Sequence, residues 1–222
     1  MDVSYAVIAD IVGSRRLADR RGAQATFVDI LGRAAAGLAL LQDPVATVGD
    51  EFQAVSTSLA GALTLTLRTH LLLPEELSLR FGIGAGRVEA LSVDGATSAG
   101  IQDGSAWWAA REAIERAHAL QDAGRGFCRT WMRAADSGSE AEALVNALLL
   151  LRDQAIFRLG PRQRRMAAAL LAGATQVEVA RAEKVSQQAV SEFSRGPAAA
   201  LLEAQALLEE SGLDLPIREE EP

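Results

Sequence analysis

The chain has 222 residues, 49% of them apolar but only 5% aromatic, and a formal net charge of −7. That length holds one large domain or a medium and a small one, with a core filled by aliphatic side chains. A lone cysteine, Cys128, excludes an internal disulfide and fits a reducing compartment; with no apolar run near the ~20 residues of a membrane span and no basic leader in residues 1–10, a cytoplasmic protein without a membrane partner is expected.

Residues 3–11 (VSYAVIADI) form an apolar run ending at a carboxylate, as in a strand covered on both faces. Gly13 and Ser14 break it and offer a helix cap. Phe27, Ile30, Leu31, Ala34, Leu38 and Leu41 then share one face of a helix over roughly 22–41. Short strands at 45–48 and 51–55 flank Gly49-Asp50, a hairpin turn. Ser56, Thr57 and Ser58 offer caps for a helix carrying Leu59, Leu63 and Leu67, stopped by Pro74. Residues 77–85 alternate, with Leu77, Leu79, Phe81, Ile83 and Ala85 on one side and Ser78, Arg80, Gly82 and Gly84 on the other. A loop over 92–104, a helix at 105–122 and a last strand at 127–132 complete the first part.

This order, β-α-β-β-α-β and then α-β, predicts an α+β fold, a ferredoxin-like palm of antiparallel strands with helices on one face. The palm domain spans 1–135, and Asp136-Ser137-Gly138-Ser139 marks its boundary. A linker helix over 136–157 is apolar nearly all round at Leu148–Leu151 and needs cover from a second domain or subunit. An all-α domain over 158–211 and an acidic tail over 212–222 follow.

Asp10 ends a buried strand, where an ionised carboxylate is costly unless paired or metal-bound. Asp50, on its own an ordinary turn residue, becomes its neighbour in a palm. Two such carboxylates suit Mg²⁺ or Mn²⁺, bound together with substrate phosphates. The turn Gly13, Ser14, Arg15, Arg16 offers backbone N–H groups and two guanidiniums to a nucleoside triphosphate.

Four colinear segments carry a resemblance. Ala9-Asp10-Ile11-Val12-Gly13 resembles the metal-binding ADIVG of class III nucleotidyl cyclases, and Thr47-Val48-Gly49-Asp50 resembles their TIGD turn; with Glu51-Phe52 it is also similar to diguanylate cyclases. Residues 79–88 resemble the cyclase R-x-G-I-x-x-G-x-V strand, and Ala109-Ala110-Arg111 the A-A-R helix. The whole layout most resembles the SatD family. The cyclase resemblance implies that Asp10, Asp50 and the Ile11 carbonyl hold two metals and that Arg111 reaches phosphate, as a catalytic residue if the domain turns over. Ala46 stands where purine-reading cyclases have a Lys, Trp107 where they have an Asn, and Asp103 is three positions off the base-reading register. The metal and phosphate parts are thus kept and the base-reading parts are not.

Other readings stand beside these. Arg111 equally pairs with Glu115 on a helix surface, and Trp107 and Trp108 suit a core or an interface. Gly82, Gly84 and Gly86 lie on a strand and open no helix, so they are no dinucleotide fingerprint. His70 and His118 lack partners at zinc-ligand spacing, no nucleophile triad is evident, and Cys128 reads as a small core residue.

In 161–195, Pro161 starts a helix that Gly173 ends, Thr175 and Glu178 form a capping box, and Ser186 caps a third helix ended by Gly196-Pro197. Val177, Ala180, Val185, Ala189, Val190 and Phe193 give the apolar pattern of two helices meeting at a turn. The segment is similar to sigma-factor and LuxR-type helix-turn-helix domains, with Lys184 where a turn glycine is common. Residues 158–200 hold seven basic against three acidic residues, a basic island in an acidic chain. The recognition helix is expected to expose Gln187, Gln188, Ser191, Glu192 and Arg195, with Gln able to bond an adenine edge and Arg195 to reach guanine or phosphate, while Arg162, Arg164 and Arg165 face the DNA backbone. A hairpin used only for dimerisation is the alternative. The sequence therefore points to a homodimeric regulator that binds DNA and a nucleoside triphosphate or cyclic nucleotide. Its rivals are a metal-dependent nucleotidyl cyclase or nucleotidyltransferase and a pure interaction module.

Overall fold

The computed structural model describes residues 3–14, 17, 19–47, 50–93, 96–135 and 140–212, with the backbone alone at 20 and 90–102. The opening apolar run is β1 (Ser4–Ile11), buried except at Asp10. Gly13 takes φ +71°, and the α-helix that follows, α1 (Arg20–Ala35), is capped by Asp19, whose Oδ1 accepts from the Gly22 amide at 2.9 Å. The helix expected to reach residue 41 ends early, because Gly37 adopts φ +77° and the chain enters β2 (Leu40–Ala46). Leu38 still packs on the core, whereas Leu41 is exposed.

β3 (Glu51–Ser56) leads to α2 (Leu59–Leu72), whose N-cap Ser58 accepts from the Gly61 amide at 3.1 Å and which stops just short of Pro74. β4 (Leu79–Gly86) follows. The loop expected over 92–104 is instead mostly the second arm of a hairpin, β5 (Glu89–Val93) and β6 (Ala96–Asp103). Its short, small side chains give no apolar alternation from which to read a strand. α3 (Ser105–Asp122) lies at the expected residues, and the last strand is β7 (Thr130–Ala134). The helical remainder is α4 (Glu140–Arg158), α5 (Pro161–Leu171), α6 (Gln176–Glu183), α7 (Gln187–Arg195) and α8 (Ala199–Ser211). The expected boundary at 136–139, residues 48 and 49 of the hairpin turn, and the acidic tail from 213 lie outside the described residues.

The large sheet has the order β2-β3-β1-β4-β7, antiparallel throughout except that β7 runs parallel to β4. It is therefore mixed rather than antiparallel, and it is covered on both faces rather than one. Tyr5, Val7, Ala9, Phe81 and Ile83 face α1, α2 and α4 in the main core, while Ala6 and Ile8 face α3. A parallel pair needs a crossover, and α3 provides it across the second face. The glycines that alternate along β4 make this possible. A methyl at Gly84 would overlap the Ala106 carbonyl oxygen and the Ala110 amide nitrogen, and one at Gly82 the Ala110 carbonyl oxygen, so the helix backbone rests directly on the strand.

α2 is buried on almost every side. Its Thr64, Thr66 and Thr69 hydroxyls donate back to the carbonyls of Ala60, Leu63 and Leu65 at 2.7, 3.0 and 2.7 Å, which makes them tolerable among leucines. One side of α2 packs on the sheet, and Leu67 and Leu71 on the other join Ile156, Met166, Val179, Val190, Phe193 and Leu201 in a second core built from α4–α8. α8 adds a buried bond from Gln205 Nε2 to Thr64 Oγ1 at 2.6 Å. Cys128 is buried and its thiol is pushed up to about 11, chiefly by that burial. Among the described residues, no helix is long and apolar enough to cross a membrane.

The glycine row predicts a sharp position effect. Gly84→Ala must lift α3 from the sheet and should destabilise the protein by about 3 kcal/mol. Gly126→Ala, where an added methyl meets nothing within 4 Å, should stay within about 0.5 kcal/mol. Urea unfolding midpoints of the two variants check the contrast.

Candidate functional site

Period-two alternation puts Asp10 on the same face of β1 as Ala6 and Ile8, the face that α3 covers. Register does the rest. Glu51 of β3 stands opposite Asp10 on one side and Arg80 of β4 on the other, so three charges form a row across the sheet. Arg80 Nη1 donates to both Asp10 oxygens, at 3.1 and 2.8 Å, while its Nε and Nη2 donate to Gln121 Oε1 of α3 at 3.2 and 2.7 Å. Arg111, also on α3, holds Glu51 with both terminal nitrogens at 2.6 and 3.0 Å. Two like charges directly opposite on a sheet repel, and each here has its own guanidinium.

The two pairs differ in depth. The Arg80 side chain is 7% exposed and that of Asp10 37%. Burial pushes the Asp10 carboxyl above its ordinary value despite the opposing pull of Arg80, so its charge is incompletely compensated. The Arg111 guanidinium is raised, first by its hydrogen bond to Glu51. Arg111 therefore neither pairs with Glu115 nor stands free; it bridges α3 to β3.

Asp50 is the turn residue just before β3, next to Asp10's cross-strand partner Glu51, and the Ile11 carbonyl belongs to the last residue of β1. The donors Asp10, Asp50 and Ile11 are all oxygens, the set a hard cation takes, and the raised Asp10 carboxyl is where a cation would relieve uncompensated charge. Among the described residues, no group of three or more His, Cys, Asp or Glu forms a ligand cage. The donors thus fit a metal shared with phosphates rather than one enclosed by protein. Gly13 and Ser14 follow β1 directly, Arg15 and Arg16 lie outside the described residues, and Asp19 already occupies the N-terminus of α1. Beside the row, Ile8, Gln53, Asp103, Trp107, Trp108 and Arg111 line a cleft of about 200 Å³. Trp107 is half-buried there, with no partner for Nε1 among the described residues, and Trp108 is exposed. Asp103 is turned to the backbone, accepting from the Gly104 amide at 2.7 Å.

The helical half is built as its caps predict. Thr175 and Glu178 exchange hydrogen bonds at the start of α6, Lys184 takes the left-handed conformation at φ 55°, ψ 46°, and Ser186 caps α7 through the Ala189 amide at 3.1 Å. Val179, Ala180, Val190 and Phe193 are buried between the helices, but Val177 and Ala189, expected in that seam, are exposed. Gln187, Gln188, Glu192 and Arg195 are exposed on α7, Ser191 is half-buried, and Gln188 Nε2 donates to Glu192 Oε1 at 2.9 Å. The three α5 arginines diverge. Arg162 is exposed, Arg165 grips Glu183 of α6 at 2.8 and 2.7 Å, and Arg164 Nε folds back on the Leu159 carbonyl at 3.1 Å.

Arg80, Glu51 and Gln121 did not emerge as site residues from the sequence. Arg80 and Glu51 were within reach, since pairing strands that carry Asp10 and the Gly82-Gly84 face would have set them beside Asp10; Gln121 carried no signal. Against known families, the model of the SatD family matches residues 4–219. No curated protein and no solved structure matches the chain.

Depth of burial separates the two arginines in a measurable way. Arg80→Met leaves Asp10 without its partner and should cost about 2 kcal/mol, less than a fully buried pair because Asp10 is partly exposed. Arg111→Met, at a side chain 46% exposed, should cost under about 1 kcal/mol. Urea titration gives both values, and NMR titration of Arg80→Met should show the Asp10 carboxyl raised further.

Proposed function

We propose that this chain, which belongs to the SatD family, is a DNA-binding regulator whose α+β half responds to a nucleotide and a divalent metal. The observation that carries the reading is α7. It is capped by Ser186, seated on α6 through Val190 and Phe193, and turns Gln187, Gln188, Glu192 and Arg195 outward at the end of a net basic segment. A helix presented on a second helix across a tight turn is the arrangement that enters a major groove. Gln188 would read an adenine edge, and Arg162 and Arg195 would meet phosphates.

For the other half, the order β2-β3-β1-β4 with antiparallel pairing is that of a ferredoxin-like palm, which supports the cyclase-like reading. Asp10, Asp50 and the Ile11 carbonyl would hold Mg²⁺ or Mn²⁺, which when bound would neutralise the phosphates of a nucleoside triphosphate or cyclic nucleotide. Arg111 would exchange Glu51 for phosphate. A homodimer would cover Leu144 and Leu151, which stand 72% and 73% exposed on α4.

Fluorescence anisotropy with random and selected duplexes over a salt series tests the reading. Wild type should bind both, and Arg162→Ala should lower the salt slope by about one unit. Gln188→Ala should leave random-duplex binding intact and lose about 1–3 kcal/mol of discrimination at the selected site. A wild-type protein with no salt-sensitive affinity for any duplex would sink the regulator reading.

A further inference from the structure

Where the sheet meets the helical half, a cavity of about 490 Å³ opens between the end of α2, the entries to β4 and β7, and the corner joining α4 to α5. Leu73, Phe127 and Phe157 contribute apolar walls, and three arginines line it from separate parts of the fold: Arg129 before β7, Arg158 at the end of α4 and Arg164 on α5. Among the described residues none of the three has a carboxylate within ion-pair distance. Arg129 donates through Nε to Ser78 Oγ at 3.0 Å and through Nη1 to the Cys128 carbonyl at 3.5 Å; the Arg164 side chain donates through Nε to the Leu159 carbonyl at 3.1 Å.

The acids on the wall do not balance these charges. Asp153 is already committed, accepting from the Arg129 and Thr130 amides at 2.8 and 2.7 Å and lying beside Arg152. Glu75 is exposed at the rim. The field is felt by the neighbours: the buried His70 imidazole is held well below its usual value by desolvation and then by Arg152, Arg129 and Arg164, and Arg129 itself is lowered by burial and by Arg80 against the opposing pull of Asp153. Three guanidiniums without an ion pair of their own, gathered around a half-open and partly apolar space, repel one another and favour the entry of an anion.

We infer that this cavity is a binding site for a small organic oxyanion, a phosphate or carboxylate carried on an apolar body. The volume lies within the range of small-molecule sites, guanidinium forks match either oxyanion, and the apolar walls suit a ring or short chain. Asp10, Glu51, Arg80 and Arg111 are not among the residues that line the cavity, although Arg80 is close enough to Arg129 to lower it. Because Arg129 belongs to the sheet and Arg164 to the first helix of the α5–α7 unit, the anion ties the two halves together.

Calorimetry on the full chain in EDTA, with phenyl phosphate and phenylacetate as probes and benzyl alcohol as neutral control, tests this. At least one anionic probe should bind saturably and the control should not; whichever probe binds tighter identifies the oxyanion. Arg158→Gln, at an exposed residue that leaves the fold intact, and Arg164→Gln should each weaken that probe at least tenfold, while Asp10→Asn should bind it like wild type. The inference is overturned if neither anion saturates at millimolar concentration, if benzyl alcohol binds equally, if both arginine variants bind unchanged, or if Asp10→Asn abolishes binding.

Discussion

The buried pair Arg152 and Asp153 holds this molecule together. Both side chains are within a few per cent of complete burial, and burial pushes the Asp153 carboxyl up and the Arg152 guanidinium down. Each is kept charged first by the other, 3.6 Å away, and Asp153 also by the Arg129 and Thr130 amides. Arg152 donates to the Leu63 carbonyl and Thr66 hydroxyl of α2 at 2.9 and 3.1 Å and to Thr130 of β7 at 3.1 Å. Asp153 caps the incoming end of β7 through two amides. Removing one member of such a pair leaves an uncompensated buried charge, at a cost of roughly 3–5 kcal/mol. α4 is therefore fastened to helix and strand by two consecutive residues.

From that knot the two cores follow. α2 lies between them, one side on the sheet and the other on the helical half, and its threonines supply their own acceptors. Two residues separate α4 from α5, so the position of α6 and α7 is set by the same corner that carries Arg158 and Arg164. Anything that changes the charge balance there acts on the base of the α6–α7 pair. The Asp10 row reaches the same end of the sheet, with Arg80 close enough to Arg129 to lower it. Both proposed ligand sites thus lie near the junction rather than at the far edge of the fold.

The sequence made legible what local chemistry dictates. Caps gave α2, α6 and α7 their first residues, apolar runs gave β1 and β4, and Asp10 stood out as a carboxylate at the end of a buried strand. Long-range consequences were harder to see. In α2 the alternation Leu-Thr-Leu-Thr-Leu hides a helix buried all round, because a threonine bonded to its own backbone behaves as apolar. The glycines of β4 were visible on one face, but that face reads as a helix seat only once the Ala-rich side of α3 is placed on it. α1 was drawn too long because Leu38 and Leu41 keep the helical spacing past Gly37. Of the site, Asp10 and Arg111 were singled out, whereas their partners Arg80 and Glu51 depend on strand register.

The central claim is that the sheet half and the helical half form one cooperative unit through α2 and α4. All three tryptophans, Trp107, Trp108 and Trp131, lie in the sheet half, so fluorescence reports that half while far-ultraviolet circular dichroism reports all the helices. Equilibrium urea unfolding followed by both probes should give a single transition with coincident midpoints. A circular-dichroism phase at lower urea, with tryptophan emission still native, would show α5–α8 melting independently and contradict the account.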